Sequence, residues 1–335
     1  MLRGVGVAMP ISSSTAATVN LRPDLAASFE FDVEAEKGGF VGMKVLPIVD
    51  VGLQSDNPGR IPLEQLLFEG DTSRASGSGY NRGSFKFERW TYATEEHGWE
   101  EPVDDRDKNR YKNIFQAEQI AMMRATGVVL RNQEIRTAAA VFNTTTWSGA
   151  SLTTGITHEW DDATNAVPVT DVEAAVRKVY DGSGLWANAL VINRKVFRNL
   201  RNCAQIIDRI ESSGAGNASK ASDITAEMLA KVFDLEYVIV AGNSKNTAKE
   251  GQSATPGQIW SDEYAMVCRV SNSADMRDPC IGRTFHWSED GSSIGGLVEQ
   301  YREEAIRGDI IRVRHDVDEV IMYPQAGHLL SNVTT

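Results

Sequence analysis

The stretch DDRDKNRYKNIFQAEQIAMMRATGVVLRNQEIRTAAAVF, residues 104–142, decides how the rest of the chain is read. Its opening acids, Asp104, Asp105 and Asp107, stand where the positive end of a helix favours negative charge. No proline interrupts the stretch, and Gly127 is its one glycine. Ile114, Ala117, Ala121, Ala125 and Val128 recur at helical spacing, flanked by Phe115, Met122 and Val129. The pattern predicts a single helix on the order of 50 Å long. Its small inner residues predict close packing under a sheet, so this helix is a scaffold element.

Just upstream lies Phe85-Lys86-Phe87-Glu88-Arg89-Trp90-Thr91-Tyr92. Phe85 and Phe87 alternate, and so do Trp90 and Tyr92, but the two pairs are out of step by one residue. A β-bulge near Glu88-Arg89 would reconcile them. Before it, residues 52–82 are rich in Gly, Ser, Asn, Asp and Pro. Loops of this length within a domain are uncommon and usually functional. The span 52–92 therefore reads as a protruding β-hairpin arm. Val45-Leu46-Pro47-Ile48-Val49 reads as an edge strand or a strand start, because proline cannot donate to a ladder. Residues 1–23, without periodicity, read as an extended arm that gains order by lying on another surface.

Downstream, a Thr/Ser/Gly-rich link (143–157) leads into α/β character. Helices are expected at Val172 to Tyr180, closed by Gly182, at Arg194 to Leu200, and at Ala226 to Phe233. Strands are expected at Leu190 to Ile192, Tyr237 to Val240 and Tyr264 to Val270. Residues 212–222 and 242–257 read as loops. These helix–strand units make a second lobe. Near the end, Ile311, Val313, His315 and Val317 alternate with Arg312, Arg314, Asp316 and Asp318, the pattern of a half-buried strand. Val320-Ile321-Met322-Tyr323-Pro324 is expected to pair with it. Residues 299–304 fit strand and helix equally well.

Composition narrows the function. The 335 residues are 41% hydrophobic and 24% charged, enough for one large or two ordinary domains. No apolar run approaches the roughly 20 residues that span a bilayer, and no convincing signal-peptide core follows the N-terminus, so a soluble, cytoplasmic protein without membrane contact is expected. Three scattered cysteines without CxxC spacing point to a reducing compartment. The net charge of −12, with Lys and Arg interleaved among acids, argues against sequence-specific nucleic-acid binding.

The search for chemistry is empty. Five dispersed histidines form no HExxH or other ligand set, and His158-Glu159-Trp160-Asp161-Asp162 reads as a solvated turn. Gly291-Ser292-Ser293-Ile294-Gly295 matches GxSxG, which would make Ser293 a hydrolase nucleophile, but polar residues precede it instead of a strand. Gly214 to Lys220 lacks the glycine before lysine that a phosphate loop needs. No catalytic residue, metal or cofactor is assigned. The two arms and the long helix cost conformational entropy that one chain's core would hardly offset, but neighbouring copies could bury them.

That order of elements resembles a family. Phe40-Val41-Gly42 through Leu46-Pro47, Arg74, and Tyr80-Asn81-Arg82 look like it. So do Tyr92 to Gly98 with Glu101-Pro102-Val103-Asp104-Asp105, and the ending Tyr301-Arg302-Glu303, Asp309 to Arg314, Tyr323-Pro324, Gly327-His328. They are similar to the Hong Kong 97 fold of tailed-phage major capsid proteins, and the likeness runs from about residue 24 to the end. The resemblance implies an α+β fold with an N-terminal arm and leading strand (1–51), an extended hairpin loop (52–95), a peripheral domain with the spine helix (96–165 and 281–335) and an axial domain (166–280). It implies a non-enzymatic shell subunit, assembled in the host cytoplasm as hexamers and pentamers into the virion capsid around double-stranded DNA. Arm residues Arg82, Phe85, Lys86, Phe87, Trp90 and Tyr92 would contact neighbouring subunits. The implied partners are other copies, a separate scaffolding protein and a portal, with a decoration protein left open. Nothing identifies a cross-linking partner for Lys86. The alternatives are an encapsulin-type compartment and, in another class, a serine hydrolase using Ser293.

Overall fold

The computed structural model describes residues 20–21, 40–60, 62, 65, 68–84, 86, 88–111, 117–212, 224–273, 275 and 278–335. Strand β1 (Asn20–Leu21), the one-turn helix α1 (Gly42–Val45) and strand β2 (Ile48–Val51) come first. Pro47 sets the start of β2, which lies at a sheet edge as its proline requires. Strands β3 (Ser55–Asp56) and β4 (Gly59–Arg60) run out along the arm, and β5 (Glu88–Arg89) and β6 (Tyr92–Ala93) return. Strand β7 (Glu95–Asp104) passes directly into α2 (Asp105–Tyr111), with the long helix α3 (Ala117–Val141) beyond. The next elements are β8 (Thr153–Gly155), α4 (Pro168–Ser183), β9 (Ala189–Asn193), α5 (Arg194–Leu200), α6 (Ala204–Ser212), α7 (Ala226–Val232) and β10 (Tyr237–Ala241). Strands β11 (Ser244–Asn246), β12 (Pro256–Gln258), β13 (Tyr264–Cys268), β14 (Gly282–Trp287), β15 (Leu297–Glu303), β16 (Gly308–Ile321) and β17 (Gly327–Ser331) complete the chain.

The expected long helix is described as α2 and α3, with Asp104 closing β7 instead of opening the helix, and the expected continuation through Ile114 and Phe115 lies outside the described residues. Ala121, Met122, Ala125 and Val129 of α3 pack on Val103 of β7, Val298 of β15, and Ile311 and Val313 of β16. The two alanines let the helix axis approach the sheet, while burying each larger side chain contributes about 1.5–3 kcal/mol. That sheet has the order β1-β15-β16-β14-β2, with β7 also paired to β16. Val320 and Ile321 do not turn back on the preceding strand as expected. They continue it, and β16 is one strand of 14 residues. No Gly or Pro stands between Gly308 and Pro324 to make a turn, and the far end of β16 finds its own partner in β14.

The second sheet has the order β10-β9-β13-β17-β8. Both of its faces are covered, which explains the unbroken apolar run of β9. Leu190, Ile192, Ala265 and Val267 face one core with Val172, Val179, Ile206 and Leu229 of the helices. Ala189, Val191, Met266 and Cys268 face another with Val141, Trp147 and Trp260. Four expectations are corrected here. The sheet recruits β8 and β17 from outside 166–280, because β17 fills the edge of β13. Helix α4 ends not at Gly182 but at Gly184, whose φ of 70° and N–H bond to the Tyr180 carbonyl form the cap. The segment 242–257 contains a hairpin, with Ser244 opposite Gln258. Among the described residues the arm shows no bulge, since Asp56 opposes Tyr92 and Gly59 opposes Arg89 in one continuous register.

Candidate assembly interface

The base of the arm is built into the chain's own core. Tyr92 is buried and stacks on Phe285 with centroids 4.8 Å apart, and Trp90 lies 5.2 Å from the same ring. The Tyr92 hydroxyl donates to the Leu53 carbonyl at 3.1 Å. The Ala93 N–H donates to Asp318 Oδ2 at 2.9 Å, and the Thr94 N–H to the Gln54 carbonyl at 2.8 Å. Burial raises the Asp318 carboxyl above the ordinary carboxylate range. Of the six contact residues read from the sequence, Tyr92 and Trp90 are therefore engaged with Phe285 of their own chain. Phe85 and Phe87 lie outside the described residues.

Beyond that base the arm has little to hold it. Residues 68–84 form no strand and are exposed throughout, Arg82 included, and so is Lys86. Neither Arg82 nor Lys86 makes an ion pair with a described residue. Phe68 is 69% exposed and Tyr80 73%. The guanidinium of Arg74 sits 4.8 Å from the Tyr80 ring. Local bonds give the tip its shape: Asp71 accepts from the Ser73 N–H, and the Asn81 amide reaches the Asp71 carbonyl. Each backbone residue so fixed costs about 1–2 kcal/mol of entropy. The exposed residues 68–84 gain that back only against another surface. A second exposed aromatic pair, Tyr180 on Trp186 at 4.4 Å, marks the far lobe. The exposure of Phe68 and Trp186 was not read from the sequence, because an exposed ring in a polar stretch leaves no periodic signal.

The segment preceding the arm, the long helix and the second lobe meet at one buried carboxylate. Glu134, on α3, is 3% exposed. It accepts from the Val41 N–H at 3.0 Å, the Gly42 N–H at 2.8 Å and Trp260 Nε1 at 2.6 Å. Burial nevertheless raises its carboxyl above the usual glutamate range. A Cβ at Gly42 would lie 2.7 Å from Glu134 Oε2, so only glycine fits there.

The hydrolase alternative fails at its nucleophile. Among the described residues Ser293 Oγ hydrogen-bonds the Gly296 carbonyl, at 3.5 Å, and not a histidine. Its neighbour Ser292 is the one near a base: Oγ is 3.2 Å from His286 Nε2, and His286 Nδ1 is 2.7 Å from Asp50 Oδ1. Ser292 and His286 are both buried, and the Ser292 N–H already donates to Asp290 Oδ1. The network ties β2, β14 and the 288–296 turn together. The three cysteines are free and buried, with burial pushing the Cys203 thiol up to about 11. Among the described residues no group of His, Cys, Asp and Glu is arranged to hold a metal, and no helix is long and apolar enough to cross a membrane.

Comparison with known proteins gives a consistent picture. The chain is 25% identical over 313 residues to the major capsid protein of Pseudomonas phage JBD67, covering 92% of this chain and 96% of that protein. Its structure matches a phage-related protein from Bordetella bronchiseptica with a TM-score of 0.69 at 20% identity, over 93% of this chain and 97% of that one. The capsid protein of cyanophage P-SCSP1u matches with a TM-score of 0.56 at 9% identity, over 98% of this chain and 92% of that one. No protein-family model matches. The fold is thus the α+β fold of Hong Kong 97-type capsid proteins.

Proposed function

We infer that this chain is the major capsid protein of a tailed phage, a non-enzymatic subunit that assembles with copies of itself into an icosahedral shell. The arm carries the reading: its base is fixed by Phe285, Tyr92 and Trp90, while residues 68–84 are exposed throughout. A stiff base with an unsupported tip suits an element that lies across a neighbour. Arg82 and Lys86, with Phe85 and Phe87, are the proposed points of contact. The relatives are phage proteins, which favours a genome shell over a cargo compartment.

In this reading residues 1–51 form the N-terminal arm and leading strand, and 52–95 the extended loop. The peripheral domain comprises 96–165 and 281–335. The axial domain, 166–280, has β8 and β17 completing its sheet, and its hairpin β11–β12 points toward the symmetry axes of hexamers and pentamers. Interfaces of this kind exceed roughly 2,000 Å². The net charge of −12 suits a container from which packaged DNA is weakly repelled, without sequence-specific binding. A scaffolding protein and a portal would be the assembly partners, in the host cytoplasm, and the finished subunit would reside in the virion.

Negative-stain microscopy with light scattering on the purified protein, alone and co-expressed with its scaffolding gene, tests this. Closed shells or hexamer and pentamer rings are expected. A monodisperse monomer under both conditions would overturn the assignment.

A further inference from the structure

We propose that the cleft at the carboxyl ends of β9 and β10 is a binding site for an oxyanion of the phosphate class. These two strands are parallel neighbours, with Ile192 beside Val240 and Asn193 beside Ala241. Beyond them the chain diverges, into α5 on one side and toward the β11–β12 hairpin on the other. Crevices outside the carboxyl ends of parallel strands are where α/β sheets hold ligands. Here the crevice is about 560 Å³, lined by Asn193, Arg194, Arg198, Asn199, Asn243 and Gln258 among others.

Its chemistry is one-sided. Arg194 and Arg198 are exposed, stand four residues apart on α5, and neither pairs with a described carboxylate. Like charges at that spacing repel, and in so acidic a chain an unmatched pair is conspicuous. Lys195 also borders the cleft, but Asp262 matches it at 2.8 Å. No carboxylate is among the lining residues. Two amide donors, Asn199 Nδ2 and Asn243 Nδ2, are buried there without an acceptor, whereas the Asn193 amide donates to Gln258 Oε1 at 2.6 Å. Buried donors are normally satisfied. The Arg194 guanidinium passes beside Gly242, 3.6 Å from where a Cβ would stand. Two guanidinium forks and two idle donors around one cleft match the several acceptor oxygens of a phosphate. The phosphate is either free or part of a DNA backbone.

Calorimetric titration of the purified protein with pyrophosphate, against sodium chloride at equal ionic strength, is the test. Saturable binding at one site per chain is expected, weakened at least tenfold in the double variant R194Q/R198Q and unchanged in K231Q, which removes a cation elsewhere. If the double variant melts early, Asn243→Ala alone carries the comparison and should weaken binding severalfold. Displacement of pyrophosphate by a short DNA duplex would assign the site to the backbone phosphate, and failure to displace it would assign the site to a free anion. Heats equal to the salt control, equal affinity in the variants, or acetate binding as tightly as pyrophosphate would overturn the proposal. Shell formation is scored separately by microscopy, so this site and the capsid assignment can fail independently.

Discussion

Replacing Glu134 with alanine should destabilise the protein by about 3 kcal/mol at neutral pH. Three buried N–H groups, those of Val41, Gly42 and the Trp260 indole, would lose their acceptor at once. Each orphaned donor costs about 1–3 kcal/mol, so the simple sum is about 3–9 kcal/mol. Two effects pull the figure to its lower end. Removing the side chain also removes the desolvation cost of a buried carboxylate, a cost large enough to raise its pKa despite three donors. Water entering the vacated space would satisfy part of what remains. Glu134→Gln keeps one acceptor oxygen but turns an NH2 toward a donor, and should cost about half as much. For a chain of this length 1 kcal/mol corresponds to about 2 °C, so melting points should fall by about 6 °C for alanine and about 3 °C for glutamine. Scanning calorimetry on the purified proteins reads this directly. A loss below about 1 kcal/mol for alanine, or a glutamine variant as damaged as the alanine one, would show that the carboxylate does not tie residues 41–42 and Trp260 to α3 as described.

Phe285→Ala removes the ring on which Tyr92 and Trp90 rest, and should cost about 3–5 kcal/mol while speeding tryptic cleavage at Arg89. Unchanged cleavage would mean that the arm is held by something else. His315 is fully buried, and burial holds its pKa down to about 4. A depressed histidine stabilises the fold above its ordinary value of 6.5 and loses that contribution as pH falls toward 4. Between those limits the wild type should lose about 3 kcal/mol that His315→Phe does not, visible as diverging melting points in a pH series. The double variant R82E/K86E, on an exposed part of the arm, should leave the melting point within about 1 °C while sharply lowering the yield of particles in sedimentation. Normal particle yield would remove these two residues from the interface.

Local pattern made some of this legible and long-range pairing hid the rest. The helical stretch could be read because the alanines of α3 repeat at the helical period and acids mark the start of α2. The arm could be read because no compact core would tolerate so long a polar, glycine-rich stretch. Its register was misjudged, since alternating aromatics report which face a residue occupies and not which residue it opposes. Glu134 looks like any helix-surface acid between Arg131 and Arg136. Its donors are 92 to 126 residues away, and nothing local announces them. A separation of 236 residues hides Asp50 from His286, and the GxSxG spacing directs attention to Ser293 when the hydroxyl beside His286 belongs to Ser292. Strand β17 joins the second sheet for a reason visible only in three dimensions, the open edge of β13.

A cryo-electron-microscopy reconstruction of the assembled particle, with the path of residues 52–94 traced, tests the central claim most directly. The account predicts a closed icosahedral shell in which residues 68–84 of each subunit lie on a neighbour, with Arg82 and Lys86 at the contact and Tyr92 still stacked on Phe285 of its own chain. Particles in which that segment folds back on its own subunit, or protrudes into solvent without touching another copy, would contradict it.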